Sequence, residues 1–149
     1  MTTLAAKPFV LVTGAAGNLG RSVAAALASD YRIVGLDQKA QEVGFPVLEV
    51  DLKSDTSVEA ALDKVRNTFG SSIASVVHLA AYFDFSGEDN PLYQSVNVDG
   101  TRRLLQALQG FEVAQFLCTM LVHAPCRPGE RIDERQPIEP RWTYPSSCG

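Results

Sequence analysis

Eight consecutive residues, Thr13-Gly14-Ala15-Ala16-Gly17-Asn18-Leu19-Gly20, carry the clearest chemical signal in the chain. Their glycines are spaced G-x-x-G-x-x-G, one residue longer than the better-known G-x-G-x-x-G. Glycine lets a backbone turn sharply and approach a pyrophosphate, while the N–H groups and dipole of a following helix favour its negative charge. The apolar run Phe9 to Thr13 precedes the turn, and an alanine-rich helical stretch, Arg21 to Ser29, follows it. A glycine triplet alone is a weak signal, but this strand-turn-helix setting is the one phosphate binding requires. The backbone amides of residues 13–20 are therefore read as a cradle for a dinucleotide, with Gly14, Ala16, Gly17, Asn18, Leu19 and Gly20 as its members. Gly20 also lets helix and strand pack closely.

Asp37 closes the second apolar run. A carboxylate there accepts hydrogen bonds from the ribose hydroxyls of NAD and repels the extra phosphate of NADP. NAD is thus favoured over NADP, although the nearby Lys39 would tolerate a phosphate; the alternative for Asp37 is a cap or turn role. Asp51, after the third run, belongs either at the adenine edge or at a helix cap.

Five apolar runs must position these groups: Phe9 to Thr13, Tyr31 to Leu36, Pro46 to Val50, Ser75 to Ala80 and Glu112 to Met120. Most are nearly continuously apolar, as expected of strands buried on both faces. Helical patterns lie between them. Val58, Ala61, Leu62, Val65 and Phe69 share one stripe behind the candidate caps Ser54 and Asp55. Leu92, Val96, Leu104 and Leu108 mark a longer helix from about Pro91 to Gly110. This alternation predicts an α/β fold, a doubly wound parallel sheet with crossover helices, forming one domain over residues 1–149. Tyr82 to Asn90 reads as a loop, and Ala124 to Gly149, holding five of the eight prolines, contains no long periodic element.

The chain is 46% hydrophobic and 20% charged with a formal charge of -4, which fits a globular protein and excludes a disordered or fibrous one. Without a Lys/Arg stripe it is a poor nucleic-acid partner. No apolar run approaches the roughly 20 residues of a membrane helix. No signal peptide is read at the N-terminus, and three scattered cysteines suit a cytoplasmic, reducing location rather than a disulfide framework or zinc site. Asp84, Glu88 and Asp89 lack metal-loop spacing and read as a solvated loop, so no metal is expected. His78, in an apolar strand, reads as a core histidine with satisfied hydrogen bonds, and Cys118 as a buried strand residue. His123 and the arginines at 127, 131, 135 and 141 are weaker substrate-contact candidates, as are Tyr82, Phe83 and Phe85, whose commoner role is packing.

Taken together, TGAAGNLG, Asp51-Leu52, His78-Leu79-Ala80-Ala81 and Asn97-Val98-Asp99-Gly100-Thr101 resemble the extended short-chain dehydrogenase/reductases. More narrowly they resemble the NAD-dependent epimerase/dehydratase group, over about Phe9 to Tyr144. The resemblance implies a Rossmann-like sheet of about five strands in the order 3-2-1-4-5, bound NAD(H), and hydride transfer at a carbinol or carbonyl carbon, often of a nucleotide sugar. It also implies that Leu52, with Asp51, and Leu79, Ala80 and Ala81 line the cofactor, and that Asn97 is a structural and cofactor-positioning residue. For the family's hydroxyl residue and tyrosine it points to Thr119 and Tyr144. Family members often pair as homodimers.

The family's lysine, four positions after the tyrosine, is replaced here by Cys148. A free phenol has a pKa of about 10, whereas a general base near neutrality needs about 7. The difference is about 4 kcal/mol of phenolate stabilisation, to which a neutral thiol adds almost nothing and a thiolate works in reverse. Tyr144 is therefore expected to be a weak base. The chain also reads as truncated relative to the family, without the C-terminal substrate region, and is expected to turn over little or no substrate alone. Restoring lysine at 148 is not expected to rescue it. Two alternatives accompany this reading: a non-catalytic dinucleotide-sensing or partner-binding module, and a chain that folds poorly for want of cover over its fifth strand.

Overall fold

The computed structural model describes residues 7–41, 43–84 and 89–118. The strands are β1 (Phe9–Thr13), β2 (Arg32–Asp37), β3 (Val47–Glu49), β4 (Ser72–His78), β5 (Glu112–Val113) and β6 (Phe116–Cys118). The α-helices are α1 (Asn18–Leu27), α2 (Asp55–Phe69) and α3 (Asp99–Ala107). A π-helical segment, Tyr93–Val98, leads into α3, and a 3-10 turn, Leu108–Gly110, ends it.

The sheet is parallel in the order β3-β2-β1-β4-β5, with β6 also pairing β4. The predicted α/β doubly wound architecture and its 3-2-1-4-5 order are what the chain adopts. One difference concerns the fifth run, read as a single strand over Glu112 to Met120. It forms two short strands on the same partner, β5 at Ser72 and Ile73 and β6 at Val76 to His78.

Continuous apolar character in β1 follows from its central place. Phe9 and Leu11 point into a cluster with Val58, Leu62 and Val65 of α2 and with Leu104 of α3. Val10 and Val12 point the other way, into a second cluster with Ala24 of α1, Ile33 and Val77. Both faces are covered, so every position in β1 must be apolar or internally paired. The α2 helix begins where predicted, because Ser54 caps it by accepting a hydrogen bond from the Ser57 amide. It stops at Gly70, whose φ of 99° takes the chain out of the helix while its N–H still bonds the Arg66 carbonyl. On the same face, α3 approaches the chain after β3 so closely that a Cβ at Gly100 would lie 2.9 Å from the Leu52 Cβ.

Cys118 departs from its expected burial. It lies on β6 at the side of β4, and its side chain is exposed. Among the described residues β6 pairs with β4 alone, so an apolar strand sequence there does not bring full burial. No helix among the described residues is long and apolar enough to cross a membrane.

Candidate functional site

The strand order reverses between β1 and β4, and a cleft of about 790 Å³ opens at their C-terminal ends, where an open parallel sheet leaves room for a ligand. Gly14, Ala16, Gly17, Asp37, Asp51, Leu52, Leu79, Ala80 and Ala81 all line it, although they come from four separate stretches of sequence. A second groove, of about 950 Å³, runs along α1 and is lined chiefly by Ala24, Ala25, Ala28, Tyr31, Val43 and Phe45. It is larger, but among the described residues its lining has neither the glycine turn nor a carboxylate, and Asn18 is the one predicted residue that borders it.

The turn is built by close backbone packing. Gly14 has a φ of 67°, donates its amide to the Leu36 carbonyl at 2.9 Å, and lies so close to β4 that a Cβ would meet the Ala80 nitrogen at 2.9 Å. A Cβ at Gly20 would fall 2.3 Å from the Gly14 carbonyl oxygen and 2.8 Å from the Ala15 Cα. Gly20 is thus a packing residue between turn and helix. Gly20→Ala is expected to destabilise the fold by about 3 kcal/mol through overpacking, as a lowered midpoint in urea denaturation will show.

Gly17 differs from both. Its φ is -71°, which any residue adopts, and a Cβ there meets only the Gly14 carbonyl at 3.3 Å. Backbone conformation does not demand glycine at this position, and a Cβ would displace the Gly14 carbonyl by only a few tenths of an ångström. What its missing side chain preserves is open space beside the turn, on the lining of the cleft. The N-terminus of α1 has no side-chain cap and no acidic residue in its first turn, and its first full-turn bond runs from the Arg21 amide to the Gly17 carbonyl. The amides of Asn18, Leu19 and Gly20 therefore have no partner one turn back along the helix. Leu19 is exposed.

Asp37 reaches toward this turn from the end of β2. Its Oδ2 accepts the Ala16 amide at 2.9 Å and its Oδ1 accepts the Gln38 amide at 2.7 Å. The carboxylate is half-buried on the cleft wall. Asp51 lines the same cleft, and its Oδ1 accepts the Lys53 amide at 3.0 Å. It turns its own loop, while the helix cap considered for it falls to Ser54.

The opposite wall is the segment from Leu79 to Tyr82. Thr13, fully buried at the end of β1, accepts the Leu79 and Ala80 amides on Oγ1, both at 3.1 Å. Its hydroxyl also lies 2.7 Å from His78 Nδ1, and His78 Nε2 lies 2.9 Å from Thr101 Oγ1. His78 is thus a buried histidine with both nitrogens partnered, and burial pushes its pKa down to about 4. Asn97 does not line the cleft. Its side-chain amide accepts the Tyr82 N–H at 2.7 Å and donates to the Tyr82 carbonyl at 2.9 Å. Tyr82 and Phe83 line the cleft mouth, and the Tyr82 ring also meets Tyr93 edge-on with centroids 5.0 Å apart. Desolvation, and then the Asp84 carboxylate beside it, hold the Tyr82 phenol above its ordinary range. It is a proton-bearing hydroxyl near neutrality and a poor base.

Sequence pattern places Thr13 in the turn and Thr101 in the α3 motif but points to no role for either side chain. A hydroxyl ending an otherwise apolar buried strand is the signal that marks Thr13. Lys53, Gln38 and Gln41, which also line the cleft, have no such signal. Thr119, His123, Tyr144 and Cys148 lie outside the described residues, as do Phe85 and Glu88.

Comparison with known proteins agrees with this geometry. The sequence is 31% identical over 138 residues to N-acetyl-alpha-D-glucosaminyl-diphospho-ditrans,octacis-undecaprenol 4-epimerase of Escherichia coli O157:H7, covering 93% of this chain and 40% of that protein. It is 31% identical over 116 residues to an L-arabinose 1-dehydrogenase (NAD(P)(+)) of Haloferax volcanii, covering 76% of this chain and 42% of that protein. The chain thus spans about 40% of the length of the curated relatives it matches. Among solved structures, a short-chain dehydrogenase/reductase superfamily protein from Agrobacterium tumefaciens with bound NAD aligns with a TM-score of 0.60 at 32% identity, covering 74% of this chain and 31% of that one. Residues 10–147 match the family described as NAD dependent epimerase/dehydratase, and the chain belongs to that family.

Proposed function

We propose that this chain binds NAD in the cleft between the glycine turn and Asp37, as the dinucleotide-binding part of an oxidoreductase or epimerase acting on a hydroxyl or carbonyl carbon. The observation that carries this reading is Gly17: a glycine that its φ does not require, on the lining of the cleft and directly before the uncapped amides that open α1. In this reading the amides of Asn18, Leu19 and Gly20 hold the pyrophosphate, and Gly14 and Gly17 shape the turn beside it. Asp37 holds the adenosine ribose, Asp51 and Leu52 border the adenine, and Leu79, Ala80 and Ala81 form the wall along the cofactor. The chemistry the cofactor would supply is acceptance and return of hydride at the substrate carbon. Thr119 and Tyr144 would orient the reacting hydroxyl and move its proton.

The substrate class proposed is a sugar carbinol, a nucleotide sugar among the candidates, since the names of both curated relatives describe reactions on sugars. Cys148, four residues after Tyr144, favours a second reading in which the chain binds the dinucleotide without catalysing. Calorimetric titration of NAD and NADP, alongside a turnover assay, tests both readings. Binding without turnover is expected; robust NAD-dependent turnover by the unaltered chain would contradict the weak-base argument, and no binding would contradict the site.

Asp37 gives a narrower test. Its carboxylate is expected to favour NAD, so Asp37→Asn should weaken NAD binding about tenfold through loss of charge-assisted hydrogen bonds. The NAD/NADP affinity ratio should fall with it. An unchanged ratio would remove Asp37 from the ribose site.

A further inference from the structure

The contacts around His78 fix where each proton resides. Thr13 Oγ1 accepts the Ala80 amide and shares the Leu79 amide with the Thr13 carbonyl, and a hydroxyl oxygen has two lone pairs. Its own proton therefore goes to His78 Nδ1 at 2.7 Å, which makes Nδ1 the bare ring nitrogen. The neutral ring then carries its proton on Nε2 and donates it to Thr101 Oγ1 at 2.9 Å. Thr101 in turn donates to the Asn97 carbonyl at 2.6 Å. Asn97 completes the path through its paired bonds to the Tyr82 backbone.

The cleft wall from Leu79 to Tyr82 is thus pinned at one end by Thr13 and at the other by Asn97. His78 joins the two pins. The same wall abuts the turn, because a Cβ on Gly14 would lie only 2.9 Å from the Ala80 nitrogen. Around the ring, β6 contributes the Phe116 side chain, with centroids 6.0 Å apart, and the Cys118 position opposite His78 in the strand pairing. Among the described residues no acidic or basic side chain hydrogen-bonds the imidazole.

We propose that His78 is a positioning residue for the dinucleotide cleft, acting through Thr13 and through Thr101 and Asn97 to hold the wall at 79–82 in the geometry that receives the cofactor. The inference rests on the NAD-binding reading and adds a remote determinant. Thr101 sits on α3 and does not line the cleft, yet it is the partner of His78 Nε2. Substituting it leaves every cofactor-lining side chain in place.

The test titrates NAD against the unaltered full chain, Thr101→Val and Thr101→Ser, and records the His78 ring-nitrogen resonances of the unaltered chain at neutral pH. Thr101→Val is expected to weaken NAD binding about tenfold in the folded protein, and Thr101→Ser, which keeps the hydroxyl, to restore it. The ring should show a bare Nδ1 and a protonated Nε2. Unchanged affinity in folded Thr101→Val, or a proton on Nδ1, would overturn the proposal. Should Thr101→Val fail to fold, the ring-nitrogen spectrum decides alone. Absence of NAD binding by the unaltered chain would instead remove the cofactor reading, while the spectrum would still report on the His78 connection.

Discussion

Gly17→Leu is expected to weaken NAD binding by about a hundredfold, equivalent to about 3 kcal/mol, while leaving the protein folded. The backbone at Gly17 already has the φ and ψ of an ordinary extended residue, so a side chain adds no dihedral strain and asks the Gly14 carbonyl to shift by only a few tenths of an ångström. Gly17 is also the helix N-cap without a side-chain bond, and losing glycine there costs only about 1 kcal/mol. The leucine would instead extend from the cleft lining into space that the turn leaves open. Calorimetry for affinity and a urea melt for stability separate the two effects. A folded variant with native affinity would mean that the dinucleotide does not lie against this turn.

The second large effect concerns acid stability. The His78 pKa is about 4 in the folded chain against 6.5 for an unperturbed imidazole, and desolvation is the cause. Between these values the unfolded chain takes up a proton that the folded chain refuses. Stability attributable to this residue is fully present above pH 6.5, falls as the pH drops toward 4, and changes no further below it. Over that window the loss is about 3 kcal/mol. The structural reason is that a ring protonated on both nitrogens has no acceptor left for the Thr13 hydroxyl. Urea denaturation at a series of pH values should therefore show a steeper decline for the unaltered chain than for His78→Asn, which is less stable at neutral pH but lacks this titration. Parallel slopes in the two proteins would show that His78 does not carry the acid sensitivity.

Much of this architecture is legible in the sequence because it depends on local pattern. β1 reads as a doubly covered strand because both of its faces are apolar, and Ser54 reads as a cap because a hydroxyl precedes the stripe of Val58, Leu62 and Val65. The break between β5 and β6 is different, since it lies opposite an irregularity in another strand. β4 has one more residue than β1 across the Phe9/Val10 step, so Phe9 pairs Ile73 but Val10 pairs Ser75. β5 and β6 pair β4 in one register on either side of this irregularity. Nothing between Glu112 and Met120 could disclose it.

The helix before β5 illustrates a subtler limit. Val96, Gly100, Leu104 and Leu108 are buried at a spacing of four, wider than the α-helical repeat. The π-helical segment Tyr93–Val98 takes up part of that excess at the start. An apolar spacing reveals the buried face but not how the backbone accommodates it. At the cleft, the glycines and Asp37 could be anticipated from their places at strand ends. The bonds joining Thr13, His78, Thr101 and Asn97 could not, because they link residues up to 65 positions apart and depend on the strand order.

The most direct test of the account is to titrate NAD into the isotopically labelled chain and follow the backbone amides. Saturable shifts are predicted at Gly14, Ala16 and Gly17, at Gln38 beside Asp37, and along Leu79 to Ala81. Shifts confined to the groove along α1, at Ala24, Ala28 and Phe45, or no saturable shifts at all, would contradict it.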